Sequence, residues 1–461
     1  MARAAQPPAV TIELAQVLDR GTTRAIALWL EVVPDPVERE EQVAALSPAR
    51  LAVLGELLDA ETGEELVSTL DPIAAGELLV GIGVPKAGVI LNELNTDLAA
   101  EILRELSPEQ RETLLSAVPA DQAAALRGLL SWPEHSSAAH MIPDVLTVTS
   151  QATAAAAIDA VRSGAAHLRA DSQSGGYVYV IDEDGRLDGV VAFRALVLAP
   201  AGAPVADLMD DDVLAVGPLD DPEKSARLLL DHRLLAVPVI DGERRILGII
   251  TADAAADIAE EEATEDAERQ GGSQPLEVPY LRASPWLLWR KRVVWLLVLF
   301  VAEAYTSSVL QAFEDELEAV VVLAFFIPLL IGTGGNTGTQ ITSTLVRAMA
   351  TGQVRLRNIG RVIVKELSTA GLIAVAMAGA GLIRAFTLGV GWQIMVVVSL
   401  SLAAIVLWAA LIASILPLLL QKTRVDPAVV SAPMIATIVD GTGLLIYFLI
   451  AKALLPELAG L

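Results

Sequence analysis

The chain has 461 residues, with 57 Asp and Glu against 32 Lys and Arg, no cysteine, and 54% hydrophobic residues. The lack of cysteine excludes a disulfide framework, thiolate zinc or iron–sulfur ligation, and a cysteine nucleophile. A formal charge of −25 argues against a nucleic-acid partner, because phosphate binding needs a basic stripe.

Acidity and apolarity separate along the sequence. The first 285 residues carry 48 acids and 20 bases, net −28, whereas the rest carries 9 acids and 12 bases, net +3. An acidic, soluble half is therefore joined to an apolar half. The opening MARAAQPPAVTIELAQ lacks the apolar core of a signal peptide, which predicts a cytoplasmic acidic half.

In chain order, the first signal is a repeat. Leu46, Leu58, Leu70, Ile82, Leu94, Leu106 and Val118 fall at steps of twelve, several followed by a turn signal such as Ser47-Pro48, Asp71-Pro72 or Ser107-Pro108. Turn-plus-short-helix units of this length predict a stacked superhelical array that offers a surface rather than a catalytic pocket. Glu61, Glu64, Glu65, Asp97 and Glu101 are candidate cation contacts on it, among acids that mostly form a solvated face.

A second repeat covers 136–260. Asp144-Val-Leu-Thr-Val recurs as Asp212-Val-Leu-Ala-Val, and Tyr177-Val-Tyr-Val-Ile-Asp182 recurs as Ala236-Val-Pro-Val-Ile-Asp241. Each unit reads strand, helix, strand, strand, helix, with hairpin turns at Asp184-Gly185 and Asp241-Gly242. A dense acidic helix follows, with Glu260, Glu261, Glu262, Glu265 and Asp266, before Gly271-Gly272 and Pro275. Divalent cations can bridge such carboxylates to other acids; a merely solvated helix is the alternative.

The apolar half holds five stretches long enough to span a bilayer, near 293–312, 319–349, 366–388, 391–420 and 427–455. Arg290, Lys291 and Arg292, then Arg355, Arg357, Arg361 and Lys365, then Lys422 and Arg424, all fall on one side. The positive-inside rule puts that side and the N-terminal half in the cytoplasm and the C-terminus outside.

Asp440 sits within the fifth stretch, and an acid at membrane depth marks function by default. Ala436 and Ala432 precede it on the same helix face, and Pro433 is expected to break the backbone there by freeing the Val429 carbonyl. In the second stretch, Pro328-Leu-Leu-Ile-Gly332-Thr-Gly334-Gly335-Asn336-Thr-Gly338-Thr-Gln340 matches neither a P-loop nor a dinucleotide fingerprint. Its glycines point to close helix packing or exposed backbone, and Asn336 and Gln340, four apart, to a polar lining. Glu303 is a second intramembrane acid, either facing the same cavity or pairing with Lys365.

PLLIGTGGNTGTQ at 328–340 and DPAVVSAPMIATIVDGTGLLIY at 426–447, supported by EEEATED at 260–266, resemble the MgtE family of magnesium channels. The resemblance implies a multidomain chain: an all-α superhelical N domain at 1–135 and α/β paired CBS domains at 136–260. A connecting plug helix at 261–285 and a five-helix transmembrane pore domain at 286–461 complete it. It further implies a homodimer in the cell membrane with the ion pathway along its axis, Asp440 as pore acid, a carbonyl contribution from Ala436, and Asn336 in the pore motif. Glu262, Glu265, Asp266 and Asp97 become candidate sensor residues, through which bound Mg²⁺ locks the soluble domains and closes the pore.

Three positions depart from the family pattern: Ala432 stands where Asn or Gly is common before the span-five proline, Arg233 where an acid is common, and Ala254 where an acid usually holds a ribose. Ala195 lacks that acid in the first CBS unit too. These departures predict a weakened magnesium lock and leave adenine-nucleotide binding at the CBS pair open. The sequence thus reads as a potential-driven magnesium channel. A less selective divalent carrier, or a membrane-anchored CBS sensor without transport, are the alternatives. His135, His140, His167 and His232 form no recognisable catalytic constellation, so an enzyme is not expected.

Overall fold

A computed structural model describes residues 12–164, 176–422 and 432–458. The chain divides into two compact units, Met1–Glu261 and Glu262–Leu461.

The first unit opens with α1 (Leu14–Leu18) and α2 (Thr23–Val32), and then the twelve-residue step governs everything up to residue 130. The helices are α3 (Pro36–Ala44), α4 (Pro48–Leu57), α5 (Ala60–Ser68), α6 (Pro72–Ile82), α7 (Val84–Glu93), α8 (Thr96–Arg104), α9 (Pro108–Leu115) and α10 (Ala120–Leu130). Each begins twelve residues after the last. Proline at the first helical position of α3, α4, α6 and α9 needs no hydrogen-bond partner there and presets φ. Asp35, Asp59, Asp71 and Ser107 accept from the first free backbone N–H groups, Asp59 and Ser107 within reciprocal capping boxes. The repeating apolar residues lie two positions before each new helix, and all seven are buried. Helices pack on the helix two further along, and glycines allow it: a Cβ on Gly88 of α7 would lie 2.5 Å from the Ala117 carbonyl oxygen.

The first CBS-like unit is β1 (Thr147–Thr149), α11 (Ala154–Gly164), β2 (Tyr177–Ile181), β3 (Leu187–Ala192) and α12 (Phe193–Leu198). Its sheet runs β1-β2-β3, parallel then antiparallel. The second has α13 (Pro222–His232), the antiparallel pair β4 (Ala236–Ile240) and β5 (Ile246–Thr251), and α14 (Ala252–Gln270). The strand expected at Asp212–Val216 does not form. Only Val216 bridges to Val239, because Gly217-Pro218 ends the pairing after one residue. The two hairpin turns are built alike: Asp182 Oδ1 accepts from the Asp184 and Arg186 amides, and Asp241 Oδ1 from those of Glu243 and Arg245. Gly185 takes positive φ in the first turn, and Arg244, not Gly242, in the second. The helical array and the second CBS-like unit share one apolar core.

The second unit contains five helices long and apolar enough to cross a membrane. They are α15 (Pro285–Ala312), then, after the short α16 (Glu314–Ala319), α17 (Ile327–Ala350), α18 (Ile359–Thr387), α19 (Trp392–Lys422) and α20 (Ala432–Leu454). The first begins at Pro285, capped by Ser284, and carries Arg290, Lys291 and Arg292 inside its helix rather than before it. Around α19, residues such as Val398, Ile405 and Ala409 pack with Val439 and Leu444 of α20 in the core of this unit. The acidic run expected in a separate segment from 261 is continuous with the last CBS helix as α14, which ends at Gln270 before Gly272 at φ +78°.

Candidate ion pathway and acid cluster

Asp440 lies eight residues into α20, roughly 12 Å along the helix from Ala432. Pro433 is the second described residue of α20, and the turn before it, where a break would show, lies outside the described residues. Val429 and Asp426 of the 426–447 motif, and Arg424 before it, lie outside the described residues.

The glycine-rich stretch is an unbroken helix, and Gly334, Gly335 and Gly338 serve packing within it, whereas Gly332 faces open space. A Cβ on Gly334 would meet Ile405 Cγ2 and Val439 Cγ1 at 2.7 Å, and one on Gly338 would meet Ile435 Cγ2 at 2.5 Å. Gly335 faces the Asp440 site: a Cβ there would stand 3.4 Å from Ala436 Cβ and 3.5 Å from Asp440 Oδ1. Asn336 and Gln340 occupy the opposite, more exposed face of α17. Ala436 and Asp440 thus share one side of α20 with α17, while Asn336 is not brought to them within one chain.

The threonines of both helices mostly satisfy themselves. Thr333, Thr337, Thr437 and Thr442 donate to carbonyls four residues back. Asp440 Oδ1, by contrast, is buried with no hydrogen-bond partner among the described residues. An unpaired carboxylate oxygen at this depth is costly unless a cationic ligand visits it.

Two contacts fix α20 around this acid. Trp408 Nε1 of α19 donates to Thr442 Oγ1 at 2.8 Å, and the buried Tyr447 hydroxyl donates to the Leu323 carbonyl at 3.0 Å. At the far end Lys452 pairs with the buried Glu316 at 3.2 Å. Glu303 has no ion pair with Lys365 among the described residues; it lies within electrostatic reach of Asp440 instead. Of the two alternatives for Glu303, the pairing with Lys365 is not formed among the described residues.

In the first unit a second carboxylate group assembles. Asp97 and Glu101 of α8 come within electrostatic reach of Asp253, Asp257 and Glu261 of α14. Burial, with Asp253 and Asp257 adding to it, pushes the Asp97 carboxyl up to about 6, against the Leu98 N–H that it accepts. Burial first, then Glu261, Asp97 and Asp257, pushes Glu101 up to about 7. Burial and the neighbouring Asp253 and Glu260 also raise Asp257.

Asp97 is legible in the sequence as a candidate; its partners Asp253 and Asp257 are not. Their signal is the four-residue spacing of 97 and 101, and of 253, 257 and 261, which stripes each helix. The other sensor candidates sit further along α14, where Glu265 pairs with Arg269; Glu262 precedes it and Asp266 follows it on the same helix. Among the described residues no three His, Asp or Glu side chains converge tightly enough to hold a bare metal ion.

Comparison with known proteins follows this division. A family model described as "Divalent cation transporter" (MgtE) matches residues 327–450, the MgtE intracellular N domain matches 35–135, and a CBS domain matches 205–259. The chain is 39% identical over 342 residues to a magnesium transporter MgtE of Thermus thermophilus, covering 72% of this chain and 73% of that one. It is 31% identical to the Bacillus subtilis magnesium transporter MgtE over 75% of each chain. A crystal structure of the cytosolic domain of the Mg²⁺ channel MgtE in complex with ATP is 29% identical, covers 54% of this chain and all of that one, and superposes with a TM-score of 0.47. With motifs, five apolar helices and relatives in agreement, the chain belongs to the MgtE family of magnesium transporters.

Proposed function

We propose that this transporter conducts hydrated Mg²⁺ into the cytoplasm, down the membrane potential, past Asp440. The observation that carries the reading is the buried Asp440 Oδ1, with no hydrogen-bond partner among the described residues, beside Gly335 and Ala436 on a glycine-packed pair of membrane helices. Mg²⁺ gives up its waters reluctantly and prefers a near-octahedral oxygen shell, so a few fixed oxygens suit it better than a protein cage. That fits a site with no dense group of ligands. In a homodimer, two Asp440 carboxylates facing each other supply two charges for one divalent ion, with Asn336 and the Ala436 carbonyl on its water shell. A potential of 100 mV contributes roughly 4.6 kcal/mol to moving a divalent ion inward.

The α8–α14 carboxylates are the gate's sensor in this reading. Enclosed acids repel when ionised, and a divalent cation with its waters relieves the repulsion and draws α14 to the N domain. The acids of α14 from Glu262 to Asp266 extend that sensor. Arg233 and Ala254 make the lock weaker than a full acid set would, and leave an adenine nucleotide at the CBS pair without its usual ribose acid. The basic residues of α15, α18 and the 351–361 connection support a cytoplasmic N-terminal unit and a C-terminus outside.

The test is magnesium flux into liposomes holding the full-length dimer, with an imposed inside-negative potential and varied internal magnesium. Flux that rises with the potential and falls as internal magnesium rises supports the reading. Flux indifferent to both contradicts it.

A further inference from the structure

The α15–α20 contact holds three polar groups that packing alone does not call for. Glu303 and Thr306 are one turn apart on α15, so they share a face. That face meets α20 beside the pore acid: a Cβ on Gly441 would lie 2.3 Å from Tyr305 Cε1 and 3.1 Å from Thr306 Oγ1. The glycine after Asp440 therefore lets α15 approach to van der Waals distance. Thr306 is only 5% exposed, and its Oγ1 is buried with no hydrogen-bond partner among the described residues, as is Asp440 Oδ1. Every other threonine described on α17 and α20, apart from Thr339 and Thr342, returns its hydroxyl to its own helix. Glu303 is half-buried, near enough to act on Asp440 electrostatically, and has no ion pair among the described residues.

Two carboxylates and a free hydroxyl, close together at membrane depth with no base among the described residues to neutralise them, call for a cation. We propose that Glu303 is a second carboxylate of the ion pathway, sharing a hydrated divalent cation with Asp440 of the same chain while Thr306 Oγ1 contacts its water shell. This rests on Asp440 lining the pathway, and it makes Glu303 a determinant of affinity for the incoming ion. A charge set to one side of the Asp440 site holds the ion through water, so its removal weakens capture more than it slows passage.

The experiment measures magnesium flux in liposomes against external magnesium for the parent, Glu303→Gln, Glu303→Asp and Thr306→Val, each checked for dimer assembly. Glu303→Gln is expected to raise the half-saturating magnesium concentration about tenfold, with saturating flux within about twofold of the parent. Glu303→Asp is expected to recover most of that shift, and Thr306→Val to give a smaller one. An unchanged half-saturation in Glu303→Gln, or lost maximal flux without a shift, overturns the proposal. The same outcome in Glu303→Asp as in Glu303→Gln overturns it too. Persistent flux in Asp440→Ala is a separate result, which sinks the pore reading instead.

Discussion

Gly338 has no side chain where Ile435 presses on α17, and a methyl there would have to displace a β-branched neighbour held in the core. Gly338→Ala is therefore expected to cost about 1–3 kcal/mol as an overpacked contact. It should lower the unfolding temperature of the purified dimer and reduce flux, since α17 and α20 must part beside Asp440. Tyr447→Phe removes a donor from the buried Leu323 carbonyl and is expected to cost on the order of 1 kcal/mol. Its flux should stay near the parent's, because the bond lies two turns from the acid. Thermal unfolding and liposome flux on the same preparations separate the two effects. At this scale the sequence makes the unusual residue types visible but not their partners. A lone acid or a run of glycines in an apolar stretch stands out, because the bilayer penalises it. Which of Gly334, Gly335 and Gly338 meets Asp440 depends on how α20 is rotated, and that is set by distant contacts at Trp408 and Leu323.

Elements are legible where turn chemistry repeats. The twelve-residue step in the N domain follows from Ser, Asp and Pro marking most helix starts, with Gly83 and Asn95 before α7 and α8, and every apolar position two residues earlier is buried. Ser107→Ala, which dismantles a reciprocal capping box, is expected to cost about 1 kcal/mol and to loosen α9 in hydrogen exchange. Elements escape the sequence where pairing partners decide. Asp212–Val216 has strand-forming residues, yet Gly217-Pro218 leaves only one bridge.

The α8–α14 pairing carries a pH dependence. Asp97 and Glu101 have folded values raised to about 6 and about 7, so they favour the packed state when protonated. That contribution is present in acid and is lost as pH rises from the ordinary carboxylate range through about 6 to 7. At low divalent concentration, protection of α8 and α14 amides should fall between about pH 5 and pH 8, with roughly neutral pH as the midpoint. Asp97→Asn should flatten the profile, and magnesium should restore protection at the alkaline end. Protection that rises with pH would contradict the enclosed-acid account.

Across the whole molecule, the charge division of −28 before residue 285 and +3 after it corresponds to two kinds of work. The acidic unit gathers carboxylates at a helix–helix contact, and the apolar unit keeps a few acids at membrane depth. In the proposed function a divalent cation relieves the repulsion in each, and one ion, Mg²⁺, serves both. The fold class and the family are legible because spans, repeats and motifs are local patterns. Convergence of Asp97 with Asp253 is not, because it joins residues more than a hundred positions apart, and for Glu303 the sequence leaves two partners open.

The most direct measurement is potential-driven magnesium uptake by liposomes containing Asp440→Ala, compared with the parent at equal amounts of assembled dimer. The account predicts that uptake falls to the level of empty liposomes while the dimer remains intact. Uptake by Asp440→Ala at the parent's rate would contradict it.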